Sequence, residues 1–206
     1  MRDVIRRRLA VGLVIAGGSL LTFSGGTYAL GAVRADQART VWDAAQAKSL
    51  MSASRAAARN AGAGESIVPG TPVARLVIPR IGLDEIVVEG VDGDALNAGP
   101  GHVPGSAVPG EAGNAVVSAH RDRHFSHFDV LAIGDTLATE SSAGTQAWII
   151  VSKRVVAENA PALFITQNAT LTLTTCWPIH YLGPAPDRLI VTAKPLRSIG
   201  QRPRQI

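Results

Sequence analysis

Thr172-Leu173-Thr174-Thr175-Cys176-Trp177-Pro178 is the stretch on which the reading of the chain turns. Leu171 and Leu173 alternate with threonines, and β-branched residues suit a pleated, half-buried surface, so the run is a strand. Pro178 has no N–H to give to a ladder, which ends the strand at or just after Cys176. The only cysteine of the 206 residues therefore stands at the mouth of a strand. Twelve residues on, Arg188 opens another strand, Arg188-Leu189-Ile190-Val191-Thr192-Ala193. Upstream, Asn114-Ala115-Val116-Val117-Ser118-Ala119 carries His120 to the end of a third. A thiol, an imidazole and a guanidinium, each at the edge of a strand, form the constellation to be explained.

A chain of this length allows one domain plus appendages. Its net charge of +4 is unevenly spread: Arg2, Arg6, Arg7 and Arg8 crowd one end, Arg197, Arg202 and Arg204 the other. A nucleic-acid binder needs a basic stripe on its folded part and aromatics to stack on. With aromatics at 4%, nucleic acid is not expected as a partner. From Leu9 to Val33 there are 25 residues without a charge, against about 20 needed to cross a bilayer as a helix. Arg6-Arg7-Arg8 before the run puts the N-terminus in the cytoplasm and the rest of the chain outside it. The competing reading is a cleaved signal peptide, with Gly25-Gly26-Thr27-Tyr28-Ala29 as the small-residue site; the length of the apolar run favours a retained anchor. A lone cysteine in an exported protein forms no internal disulfide. It is left as a structural thiol, an intermolecular bridge or a reactive group.

The expected organisation is a basic end and transmembrane helix over 1–34, then a helical stalk and linker over 35–72. A folded domain over 73–197 and a basic tail over 198–206 complete it. Alanine-rich composition makes the stalk helical, and Gly62, Gly64 and the Pro69-Gly70-Thr71-Pro72 run break it. Within the domain, 74–78, 84–88, 135–140 and 146–156 read as further strands. Gly90 to Asn97 fits a helical turn capped by Asp92 or Asp94. Gly99 to Gly113 holds five glycines and three prolines and reads as a loop. Phe125, Phe128 and Leu131 are spaced three apart, consistent with a short helix over 121–131, and 160–164 fits a helical turn. At least seven short strands with a turn about every ten residues give an all-β barrel or sandwich.

Each candidate residue has a plainer reading beside the chemical one. Free cysteine is usually a small buried hydrophobe. Against that stand the strand-end position, the turn forced by Trp177-Pro178, and two cations able to favour a thiolate. His120 is either a solvated loop histidine or a catalytic one. A metal site is a third option, because His120, His124 and His127 fall at i, i+4 and i+7. The arginines between them oppose a dication, which leaves His124 and His127 at the surface and His102 and His180 lining loops. Arg188 either pairs at the surface with Asp187 or Glu111, or turns its fixed fork of donors towards a developing oxyanion.

The ordered set resembles the sortases. Thr172-Leu173-Thr174-Thr175-Cys176 followed by Arg188 in a strand is similar to that family's signature, and Asn114 to Arg121 to its histidine strand. Gly101-His102-Val103-Pro104-Gly105-Ser106-Ala107-Val108-Pro109-Gly110 resembles the lead-in, and Leu76-Val77-Ile78-Pro79-Arg80-Ile81 the first strand. Thr175-Cys176-Trp177-Pro178 and Gly183 to Arg188 resemble the class D-like branch or its Gram-negative relative; Ala119 departs from the glycine common before the histidine. The resemblance implies a closed β-barrel of about eight strands with short helices, and a cysteine transpeptidase. Cys176 would attack a threonine carbonyl in a C-terminal LPxTG-like sorting motif and form a thioester. His120 would move the protons, and Arg188, helped by Thr174 and Thr175, would hold substrate and oxyanion. The implied partners are a secreted protein with a sorting signal, an amine acceptor at the cell surface and the lipid bilayer. No cofactor is implied, and no carboxylate cluster licenses a calcium site. Two rivals remain: an L,D-transpeptidase-like enzyme, whose histidine and cysteine lie close together in sequence, and a non-catalytic tethered barrel with Cys176 buried.

Overall fold

The computed structural model describes residues 8, 11, 13–15, 19, 26, 31–45, 67–160 and 166–196. Most of the apolar run 9–33, the chain over 46–66, most of the 160–164 turn and the basic tail lie outside them. Among the described residues no helix is long and apolar enough to cross a membrane. Those of the run that are described are helical, and Val11, Leu13, Val14 and Ile15 are exposed.

Eight strands close into one barrel in the order β1-β2-β3-β4-β7-β8-β6-β5. They are β1 (Pro72–Ile78), β2 (Leu83–Glu89), β3 (Gly101–His102), β4 (Asn114–Ser118), β5 (Thr136–Ser141), β6 (Gly144–Ala157), β7 (Thr170–Trp177) and β8 (Asp187–Pro195). The closed barrel is the stricter of the two architectures expected, and in it each described strand has a hydrogen-bonded neighbour on both sides. The alternation read in the sequence sets what faces inward: Leu171 and Leu173 of β7, Leu189, Val191 and Ala193 of β8, and Ala115, Val117 and Ala119 at β4 are all core residues. Trp148 of β6 is the largest of the fully buried side chains, and its indole N–H donates to Thr139 Oγ1 at 2.8 Å.

Two elements differ from the sequence reading. The expected helix over 121–131 is a run of turns closed by a single 3-10 turn, Phe128–Val130. Its apolar residues still reach the core, where Phe125 and Phe128 stack with ring centres 3.7 Å apart. Burial at a three-residue spacing was a correct reading of which residues go inside, and three-residue spacing also suits a 3-10 turn. The second difference is β3, which lies within the glycine-rich segment. It pairs parallel with β2 and antiparallel with β4, so His102 is a buried strand residue and lines no loop. Gly101 is required there because a Cβ would lie 2.2 Å from the Gly90 carbonyl oxygen.

Residues 31–45 form a helix, α1, that lies on the barrel. Ala38 and Trp42 pack on Ile86 and Val88 of β2 and on Ala95 of the short helix α2 (Gly93–Ala98). Asp92 caps α2, accepting from the Ala95 N–H, as one of the two residues expected to do so. Arg34 pairs with Asp94 at 2.5 Å and Arg39 with Glu85 at 3.5 Å across the contact. The first part of the expected stalk is thus docked on the domain.

Candidate active site

Strand parity decides where the three reactive side chains point. Because 171 and 173 face the core, Cys176 faces outward at the far end of β7. By the same alternation Arg188 faces outward from β8 and His120 from the end of β4. The register then sets them side by side. Cys176 lies directly opposite Arg188 in the antiparallel β7–β8 pair, where Cα atoms stand about 4.5–5.5 Å apart. β4 runs parallel to β7 with Ser118 level with Thr174, so two residues further along each strand His120 is level with Cys176. The ladder continues past the last paired residue, with the Ala119 N–H donating to Thr174 O at 3.1 Å. The register therefore brings three residues distant in sequence to one outer face, at one end of the barrel.

Local structure fixes each of them. Thr175 faces inward, is buried, and donates its hydroxyl to Ala119 O at 2.7 Å, tying the residue before the cysteine to the residue before the histidine. Thr175 thus joins the site through its backbone while its hydroxyl is committed inside the barrel; Thr174 faces outward beside Cys176 and is half-buried. The chain beyond β4 wraps on the His120 carbonyl, which accepts from Phe125 N at 3.1 Å and Arg123 N at 3.3 Å. His120 is half-buried. Burial holds its imidazole pKa below the ordinary histidine value, Arg123 and His124 push the same way, and Asp122 opposes them. A histidine so placed is neutral at pH 7 and fit to accept a proton. Cys176 is a free thiol, half-buried and so accessible from the outer face.

Arg188 has a partner that sequence reasoning did not find. Its Nη2 donates to Glu158 at the end of β6, while Nη1 donates to its own neighbour's carbonyl, Asp187 O, at 3.1 Å. Neither Asp187's carboxylate nor Glu111 fills the role expected. Val156 is level with Arg188 in the β6–β8 pair, which brings Glu158 within reach; that pairing is not visible in any local pattern. A guanidinium carries five N–H donors, so others remain for a ligand.

The expected surface histidines divide. His127 is exposed, whereas the His124 side chain is 8% exposed and stands 3.7 Å from Glu85. Because 121–127 are turns, His120, His124 and His127 do not share a helical face. A second cluster was missed altogether. His102 Nδ1 lies 2.6 Å from Glu89 Oε2, and its Nε2 lies 2.9 Å from both Ala107 O and Ser106 Oγ. The set mimics a nucleophilic triad, but a carbonyl can only accept, so Nε2 carries a hydrogen and cannot take one from Ser106. The Ser106 hydroxyl instead donates to Val103 O at 2.7 Å. The cluster is a clasp that pins the segment after β3.

Comparison with known proteins bears on the family and the fold. Residues 76–196 match the sortase domain model. Over 121 residues the chain is 38% identical to sortase D of Bacillus subtilis (strain 168), covering 58% of this chain and 61% of that relative's length. Among solved structures it is similar to a sortase D5 transpeptidase of Clostridium perfringens, with TM-score 0.63 and 22% identity over 82% of this chain and 99% of that one; this likeness bears on fold alone. It is also similar to sortase C1 of Streptococcus agalactiae, with TM-score 0.57 and 28% identity over 64% of this chain and 71% of that one. The matched region holds His120, Cys176 and Arg188, and the chain belongs to the sortase family.

Proposed function

We propose that the protein is a cysteine transpeptidase that cuts a C-terminal LPxTG-like sorting motif and joins the new carboxyl end to a surface amine. The observation that carries this reading is the register that sets Cys176 opposite Arg188 with His120 level beside them on one outer face. Cys176 sulfur attacks the threonine carbonyl carbon while its proton passes to His120 Nε2 or Nδ1. The carbonyl oxygen takes up the electron pair as an oxyanion, which the remaining N–H donors of Arg188 stabilise, with Thr174 lining the same face. On collapse the C–N bond breaks, the imidazolium returns the proton to the departing amine, and a thioester is left on Cys176. An incoming amine then attacks the thioester, gives its proton to His120, and releases the sulfur. A neutral imidazole in the free enzyme suits both directions of this shuttle.

The reading extends to location. The uncharged run that starts at Leu9 serves, ahead of α1, as a membrane anchor, supported by the helical, exposed apolar residues Val11, Leu13, Val14 and Ile15. It keeps the barrel outside the cytoplasm, where substrates carrying their own apolar tails arrive. The test is product analysis with a pool of Leu-Pro-X-Thr-Gly peptides and glycine-based amines. Cleavage after threonine with transfer to the amine is expected. Turnover of peptidoglycan stem peptides in place of these peptides would replace the reading.

A further inference from the structure

Arg121 follows the histidine directly, and nothing so far has given it a task. Its guanidinium reaches across to the chain that joins β7 to β8: Nη1 donates to Pro178 O at 3.0 Å, and Nη2 to Tyr181 O at 3.0 Å and Gly183 O at 2.7 Å. Its Cζ also lies 5.7 Å from the centre of the Tyr181 ring, a cation–π arrangement. One side chain therefore holds three carbonyls spread over six residues, and a planar fork of donors suits that task better than an ammonium.

The held segment is not incidental to the site. Residues 178–186 connect the strand of Cys176 to the strand of Arg188, so they rim the outer face where both side chains point. Ile179 anchors the start of the segment in the core, but from His180 to Pro184 every residue is exposed, Leu182 almost completely. Other fastenings are slight: a Glu158 N–H to Pro186 O bond at 3.3 Å, and His180 Nε2 at 3.9 Å from Asp129. Among the described residues, Arg121 thus supplies most of the hydrogen bonds between this segment and the rest of the molecule. Because the same residue is covalently next to His120, the clamp sets the rim relative to the imidazole as well.

We propose that Arg121 is a positioning residue for substrate capture: it fixes the β7–β8 connection as one wall of the peptide groove, with Tyr181 and Leu182 presenting an apolar lip to the bound motif. The inference rests on the transpeptidase reading above. Arg121 touches no reacting atom in this scheme, so its loss should weaken peptide binding and leave the thiol's own reactivity in place.

The test compares the full-length chain in detergent with Arg121→Met, which keeps the apolar stem and removes every donor, and with Arg121→Lys. Three quantities are read: KM and kcat for a Leu-Pro-Ala-Thr-Gly peptide, the rate of Cys176 alkylation by iodoacetamide, and hydrogen exchange of amides 179–185. Arg121→Met is expected to raise KM at least about tenfold, the factor that about 1.4 kcal/mol of lost binding gives. Alkylation should stay within about twofold of the parent, since the thiol's surroundings are untouched, and exchange over 179–185 should rise. Arg121→Lys should fall between the two. Unchanged exchange would overturn the clamp, and raised exchange with unchanged KM would overturn its part in substrate capture. An equal loss in alkylation would overturn it too, by making Arg121 a determinant of the thiol or of the fold. If Arg121→Met does not fold, Arg121→Lys carries the same comparisons. A parent chain that alkylates but never acylates with peptide fails the transpeptidase reading, while the exchange arm still judges the clamp.

Discussion

Thr175 Oγ1 donates to Ala119 O from within the barrel, and the two residues that follow this pair are Cys176 and His120. Replacing Thr175 by valine keeps the shape but leaves a buried carbonyl without its partner. A cost of about 1–3 kcal/mol is expected, read as a lower denaturation midpoint. The rate of peptide acylation should fall about tenfold or more, since misplacing reacting groups by around an ångström costs up to about a hundredfold. His120 offers a second residue-scale test through pH. Its folded pKa lies below its unfolded value of about 6.5. Between those two values the unfolded chain binds more protons, so stability is lost as pH falls through that window and is level above it. His120→Asn should remove this part of the pH dependence of unfolding, and should also abolish the proton shuttle. The placement of Cys176, His120 and Arg188 at strand ends was legible in the sequence because strand ends and alternation can be read locally. Glu158 was not legible, since its approach to Arg188 depends on the pairing of two strands some thirty residues apart.

At the level of elements, the clasp of Glu89, His102 and Ser106 gives the glycine-rich segment its order. β3 is two residues long, too short for any periodicity to register, and Gly101 within it and Pro104 after it read as loop. What makes it a strand is tertiary: β2 and β4 take its backbone on either side, and His102 is fastened to Glu89 beneath them. Both side chains are buried, so removing one strands the other. His102→Ala should destabilise the fold by about 3–5 kcal/mol, the cost of breaking a buried pair, as measured by chemical denaturation. A cost near zero would mean that Glu89 finds another partner. The turns over 121–127 show the opposite case: the buried residues were identifiable, and the hydrogen-bond pattern between them was not, because a three-residue spacing serves both helix types.

On the scale of the whole molecule, α1 is joined to the barrel by a small apolar contact, the ion pairs of Arg34 with Asp94 and Arg39 with Glu85, and an Arg39 hydrogen bond to Asp84 O. Surface pairs of this kind contribute about 0–1 kcal/mol each, so Ala38 and Trp42 against Ile86, Val88 and Ala95 carry most of the docking. The alanine-rich composition of 35–61 announced a helix but said nothing of where it rests, since small residues pack on almost any face. Ala38→Glu should release α1, raising hydrogen exchange over 31–45 while that of β7 and β8 stays unchanged. The closed barrel itself was foreseeable from strand spacing and from the family resemblance together; spacing alone left a sandwich equally open.

The central claim is that barrel closure makes one sulfur a nucleophile by setting His120 and Arg188 beside it. Intact-mass measurement of the full-length chain after brief exposure to Leu-Pro-X-Thr-Gly peptides tests this directly. The chain should gain the mass of the peptide up to threonine, on Cys176 and hydroxylamine-sensitive, and Cys176→Ala should gain nothing. An adduct that persists in Cys176→Ala, or a parent chain that stays unmodified by every peptide in the pool while its thiol alkylates freely, would contradict it.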